Sequence, residues 1–250
     1  WAAKDGHTDE EYEDAGCMAS ELGGCGIVSH YAVADGATET SFAGTWARSL
    51  VTAYCQGLLN SDQSADTLRV LQDDWTMEIS KLSLPWFAEE KARQGAFATL
   101  CGLTIGKELV EQSESRGGGG GTWQASAVGD SCFFQIRKDQ VIKCFPINSS
   151  ADFGCSPEML SSACDSPSVS NLHYIEGHWL AGDIFLLMTD AIACWFLTLV
   201  ESGHAPSHFI NHLESQASFL KYLKESRSVL DDEGCKALKN DDVTLLTIPM

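Results

Sequence analysis

Apolar positions along the chain change period several times, and each change marks an element. The run GIVSHYAVA (26–34) is short, apolar and rich in β-branched residues, and it stops at Asp35-Gly36; this predicts a strand running into a turn. Phe42, Trp46, Leu50 and Tyr54 then recur at helical spacing, so a helix is expected from an N-cap at Thr40 or Ser41 to near Asn60. A second apolar stripe, Leu68, Leu71, Trp75 and Ile79, predicts a helix from about Ala65 to Leu82, and Pro85 is placed to open a third, short one.

After Gln94 the period shortens. AFATLCGLTI (96–105), TWQASAVGD (122–130), CFFQIRKD (132–139) and QVIKCFPI (140–147) read as strands of an antiparallel meander, with polar turns at Asp130 and Asp139. Gly117 to Gly121 interrupt it at a hairpin tip as a flexible loop; five glycines with no Lys-Ser or Lys-Thr after them do not make a phosphate loop. Residues 148–178 are rich in Ser, Pro and Asp and read as a surface excursion. DIFLLMTD (183–190) returns as a strand, helical patterns cover 191–202 and 206–230, and DVTLLTIP (242–249) closes the chain as a strand. Helices fall early and late around a strand-rich middle, which favours an α+β layered sandwich over alternating βαβ units.

With 250 residues and 44% hydrophobic content the chain is expected to form one domain over 1–250. It starts on a polar, acidic stretch without an initiator methionine, as a trimmed boundary would. Thirty-five acidic against 16 basic residues give a formal charge of -19, which argues against nucleic acid or an anionic membrane as a partner and leaves cations as the natural ligand. Ten cysteines are scattered with no CxxC pair, no apolar run approaches the roughly 18 residues of a membrane span, and the first residues of the sequence do not read as a charged start followed by an apolar signal core. Buried thiols in a reducing cytoplasm are the expectation.

Glu13-Asp14 before a strand, Asp35 and Asp190 at strand ends, and Asp241-Asp242 at a strand start share one context: each sits at a strand edge. Strand edges of packed sheets can converge, and convergent carboxylates repel unless protons or hard cations compensate them. Oxygen-only donors suit magnesium or manganese better than zinc. Taken singly, each is bland: Asp35-Gly36 makes a turn, Asp190 caps a helix, and Glu13-Asp14 is a solvated patch.

In order, the segments EYEDA (11–15), VADGATETS (33–41), AVGDS (127–131), FLLMTDAI (185–192) and DDVTLL (241–246) resemble the acidic, Asp-Gly, Val-Gly-Asp-Ser, Ser-Asp-Gly and Asp-Asn motifs of the metal-dependent protein phosphatases of the 2C type, compact bacterial members above all. The resemblance implies a four-layer α-β-β-α sandwich with two central antiparallel sheets. It implies two Mn2+ or Mg2+ ions, with Asp35 bridging them, the Gly36 carbonyl on one, Asp190 and Asp241 on the other, and Glu13 and Asp14 binding directly or through water. A metal-bridging water held by Asp35 and Asp14 would be the nucleophile, which suits a chain with no GxSxG elbow. Asp130 matches the acid of a third metal position. The implied activity is a serine/threonine phosphoprotein phosphatase acting on phosphomonoesters, with a phosphoprotein substrate and a cognate serine/threonine kinase as partner.

Several positions depart from the family pattern. Ala37 stands where many relatives carry a histidine, a candidate proton donor to the leaving alcohol. No arginine precedes Arg48, so the phosphate-gripping arginine upstream of the first acidic motif has no counterpart; Asp9 stands near its place, and Lys4 or His7 could substitute. Ala191 replaces a glycine, Cys194 replaces an aspartate of the third metal, which argues for two ions, and Asp242 replaces an asparagine. These losses keep open an alternative, a pseudophosphatase acting as a binding or regulatory module. His204, His208 and His212 repeat every four residues, but Pro206 is expected to start the helix and leave His204 outside it, so packing or surface roles fit better than a metal site.

Overall fold

The computed structural model describes residues 1–23, 26–38, 40, 42–59, 64–108, 120–154, 156–163, 172–230 and 237–250. Strands β1 (Ala15–Gly23), β2 (Gly26–Ala34), β4 (Leu100–Glu108), β5 (Gly120–Val128) and β9 (His173–Leu180) form one antiparallel sheet in the order β1-β2-β4-β5-β9. Strands β6 (Cys132–Arg137), β7 (Gln140–Phe145), β10 (Ile184–Met188) and β11 (Leu245–Pro249) form a second, ordered β11-β10-β6-β7, while β3 (Phe97–Ala98) pairs with β8 (Leu160–Ser161).

Alternation along each strand separates the layers. Val33, Cys101, Leu103, Ile105, Trp123 and Ala127 from the first sheet meet Phe133, Phe185, Leu187 and Ile248 from the second. The neighbours of these residues point the other way. Ala32, Ala34, Leu100 and Val128 pack under helices α1 (Ala43–Cys55) and α2 (Ser64–Ser80). Cys132, Phe134, Ile136, Leu186 and Met188 pack under α4 (Asp190–Glu201), α5 (Pro206–Ile210) and α6 (Gln216–Ser226). Helix α3 (Trp86–Arg93) follows Pro85, which is its N-cap. The result is an α+β fold, a four-layer α-β-β-α sandwich.

Several local expectations change. The meander breaks between β5 and β6, because Gly129 (φ +92°) and Asp130 carry the chain from one sheet to the other. A Cβ on Gly129 would lie 2.6 Å from Thr99 Cγ2. Two edge strands escape the pattern: β1 is small and polar, and β9 draws residues 173–178 out of the expected surface excursion and into the first sheet. Gly117 to Gly119 of the glycine loop lie outside the described residues. Gly120 and Gly121 belong to β5, where a Cβ on Gly121 would meet Gly106 O at 2.5 Å and Trp179 Nε1 at 2.7 Å. Helix α1 begins after Phe42, which sits at φ 65° with no side-chain cap; Ser41 lies outside the described residues, and the Thr40 hydroxyl bonds to Ala37 O instead. The helical pattern over 206–230 is two helices, α5 and α6.

The six described cysteines, Cys17, Cys55, Cys101, Cys132, Cys144 and Cys194, are free thiols. Among the described residues no helix is long and apolar enough to cross a membrane. Helix α1 lies so close to β4 that a Cβ on Gly102 would come within 2.2 Å of the Tyr54 ring. Gly102→Ala should therefore destabilise the fold by roughly 1–3 kcal/mol through overpacking. Urea unfolding measures this, and an unchanged midpoint would refute the close packing.

Candidate metal centre

One end of the sandwich gathers the acids, because antiparallel pairing brings strand ends and strand starts together there. Ala34 pairs with Ala15, so Asp35 leaves β2 beside Asp14 entering β1. Met188 pairs with Leu245 and with Cys132, so Asp190, the approach to β11 and the Asp130 turn share the same end. A cavity of about 590 Å³ opens there, lined by Asp35, Gly36, Thr99, Asp130, Asp190 and Asp241, with Lys239 at its side.

Each acid is held by its own local chemistry. The Asp35 N–H donates to Thr99 Oγ1 (3.1 Å) and its carbonyl accepts the Thr99 N–H (2.9 Å), while the Thr99 and Ser131 hydroxyls share a hydrogen bond of 2.7 Å. Only glycine fits at position 36, where a Cβ would lie 2.6 Å from Glu13 O. Asp14 is 2% exposed, and its Oδ2 accepts from the hydroxyls of Thr189 (2.9 Å) and Thr244 (3.0 Å). Tyr12 OH bonds in turn to the Thr244 hydroxyl. Asp130 is 5% exposed and its Oδ1 is buried without a hydrogen-bond partner. A buried, unpartnered carboxylate oxygen on a residue that lines a cavity of acids is the donor a hard cation takes.

Burial pushes the Asp35 carboxyl well above the usual range, and Asp14, Asp190, Asp130 and Asp241 push it further. Burial also raises Asp14 to about 8, against the pull of the Thr189 hydroxyl. Asp130 rises to about 6, from burial and then the Asp190 charge. Glu13 rises through burial, but its charged neighbours are Lys4, Asp242 and His7. A hydrogen bond to Thr38, which lines the cavity, pulls against that rise and sets the Glu13 side chain at the cavity wall, while its backbone carbonyl crowds Gly36.

Asp14, Asp35, Gly36, Asp130, Asp190 and Asp241 thus come to one end of the fold, with Glu13 at the margin. Among the described residues no three acids, histidines or cysteines are already drawn together as a metal cage. The acids face one another around the cavity, and the Lys239 ammonium stands between two of them, 3.1 Å from Asp190 Oδ2 and 2.7 Å from Asp241 Oδ2. Asp242 neither faces solvent nor reaches the cavity: it is 5% exposed and accepts the N–H groups of Lys4 (2.9 Å) and Glu13 (2.7 Å), tying the start of the chain to its end. Lys4 Nζ reaches Thr38 Oγ1 at the cavity wall (3.4 Å), whereas His7 is exposed. Cys194 Sγ lies 3.8 Å from Ser150 O. His208 sits on α5 and His204 precedes Pro206; His212 stacks on Tyr222 with ring centroids 4.4 Å apart.

The residues missed by sequence reasoning are those that hold the acids. Thr189 and Thr244 carried a signal, each lying next to an acidic motif. Arg227 carried none: it is 4% exposed on the side chain and donates to Asp241 O at 2.6 Å, fixing the loop before β11.

A family model for protein phosphatase 2C matches residues 7–241. A search of curated protein sequences finds no match. Among solved structures, a bacterial serine phosphatase is similar at 11% identity and a TM-score of 0.52, over 98% of this chain and 94% of that one. The S. agalactiae serine/threonine phosphatase is similar at 10% identity and a TM-score of 0.50, over 100% of this chain and 97% of that one. The Mycobacterium tuberculosis serine/threonine phosphatase PstP/Ppp is similar at 12% identity and 0.50, over 94% and 97%. At these identities the likeness speaks to the fold.

Without divalent cations the folded chain keeps protons on Asp14 and Asp35 that the unfolded chain releases above the ordinary carboxylate value of 3.8. The folded state then binds more protons, so stability is greatest at low pH and falls as pH rises toward about 8. Thermal melts in chelator should show Tm declining across that window. Mn2+ should flatten the decline, and Asp35→Asn should raise Tm at its upper end. A Tm that climbs with pH in chelator would contradict this charge arrangement.

Proposed function

The chain belongs to the protein phosphatase 2C family, and on that premise we propose that it is a metal-dependent phosphatase hydrolysing phosphoserine or phosphothreonine in proteins. The observation that carries this reading is the set of acids around one cavity, each raising Asp35, with Asp130 Oδ1 buried and unpartnered. Such a donor set fits hard cations, Mn2+ or Mg2+. Asp35, Asp190, Asp241 and the Gly36 carbonyl would hold two of them, Asp14 and Glu13 would contribute directly or through water, and Asp130 would offer a further position. When bound, two such ions lower the pKa of a water and neutralise charge on a phosphoryl group.

The chain's own residues supply position and exclusion. Thr99 and Ser131 fix the backbone that aims Asp35, and the Thr189 and Thr244 hydroxyls hold Asp14. Ala37 lines the cavity without a titratable group, so the leaving alkoxide would take its proton from water. Lys4 beside Thr38 is the cation of the N-terminal segment placed to meet phosphate oxygens at the wall. Cys194 in place of a further carboxylate supports two ions over three. A phosphoprotein substrate implies a kinase that makes it, and free thiols fit a cytoplasmic setting.

The alternative, a pseudophosphatase that binds partners, draws on one observation, the Lys239 ammonium between Asp190 and Asp241. Purified protein with Mn2+ should hydrolyse p-nitrophenyl phosphate and a phosphothreonine peptide. Asp35→Ala should lower kcat by at least about a hundredfold with its circular dichroism spectrum unchanged. A folded wild type inert with Mn2+ and Mg2+ on both substrates would favour the binding module.

A further inference from the structure

Lys239 is the cation lining the acid cavity among the described residues. Its ammonium bridges carboxylates from two separate elements, Asp190 at the first turn of α4 and Asp241 before β11, at 3.1 and 2.7 Å. Its side chain is 63% exposed, against 16% for Asp190 and 25% for Asp241. The head group thus reaches the site from the solvent side on a flexible four-carbon stem, and the acids do not depend on the stem for packing.

Two negative charges fixed beside Asp35 and Asp14 need a counter-charge, and an ammonium with three donors can serve both at once. We propose that Lys239 is a tethered counter-cation: it occupies the Asp190–Asp241 edge of the centre when no divalent ion is there, and an ion entering that edge displaces it. This rests on the metal-binding reading of the site and adds an exchange step to it. The lysine end of these pairs is exposed and partly screened, so the lysine is replaceable by a doubly charged ion, yet its attraction to both carboxylates must be overcome. Binding at this edge is then weaker than the acids alone would give.

Calorimetric titration of Mn2+ into the full chain, for wild type, Lys239→Gln and Lys239→Arg, tests the exchange. Lys239→Gln should bind the weaker of two ions about tenfold more tightly, and it should melt at a lower temperature than wild type in chelator, where the acids have lost their counter-charge. Lys239→Arg should behave as wild type in both measurements. Equal Mn2+ affinity and equal chelator Tm in wild type and Lys239→Gln overturn the role of Lys239 and leave the metal centre standing. If neither protein binds Mn2+, the metal-binding reading falls and this inference falls with it.

Discussion

Carboxylates crowded at one end of an apolar sandwich repel one another, and everything else about that end answers to the repulsion. Asp35 feels Asp14, Asp190, Asp130 and Asp241 through a medium that screens poorly. A fold can hold such a group only with positive charge or protons close by. The two sheets and their apolar interlayer provide the rigidity: Trp123, Phe133 and Phe185 lock ring against ring between the layers. The strands therefore deliver their ends to the same place whether or not the ends attract.

The fold spends special residues on this end. Gly36 lets the β2 exit pass against Glu13 O, and Gly129 turns the chain from one sheet to the other. Thr99, Thr189, Thr244 and Ser131 contribute hydroxyls, which can donate to a carboxylate without adding charge. Arg227 and Asp242 act one step further out, on backbone groups of the two chain termini. Asp241 and Asp242 are sequence neighbours with opposite surroundings. One faces the cavity and Lys239, and the other is buried under amide N–H groups.

What could be read in the sequence was whatever depends on local period or local wording. GIVSHYAVA specifies β2 at its observed bounds because a short, largely apolar run ends at an Asp-Gly turn. The layered class followed from grouping helices apart from strands, whereas the acids, bland one by one, stood out as candidates only through the order and wording of the motifs that carry them. Non-local facts were hidden. The β5–β6 connection resembles a meander turn in sequence, yet Gly129 hands the chain to the other sheet because both faces of each sheet are apolar. β1 and β9 lie at sheet edges, where few large apolar side chains are needed, so period 2 is faint in them. Nothing in LKNDD tells which carboxylates the Lys239 ammonium will meet.

Compensation at this end comes in three exchangeable kinds. Burial and neighbouring charge favour protons on Asp14 and Asp35, an ammonium bridges Asp190 and Asp241, and hard divalent ions are the third kind the donor set suits. Protons and the ammonium carry one charge each, so even the ammonium that spans Asp190 and Asp241 leaves that pair with a net negative charge. A divalent ion brings two charges to one point, and it would expel both. Among the described residues no lysine hydrogen-bonds to the inner acids Asp14 and Asp130, although the Lys239 charge is felt at Asp130, whereas the outer pair binds Lys239 directly. The inner acids therefore wait on protons or metal and the outer pair is already half neutralised, so the first ion should gain most by binding toward Asp35 and Asp14, away from Lys239.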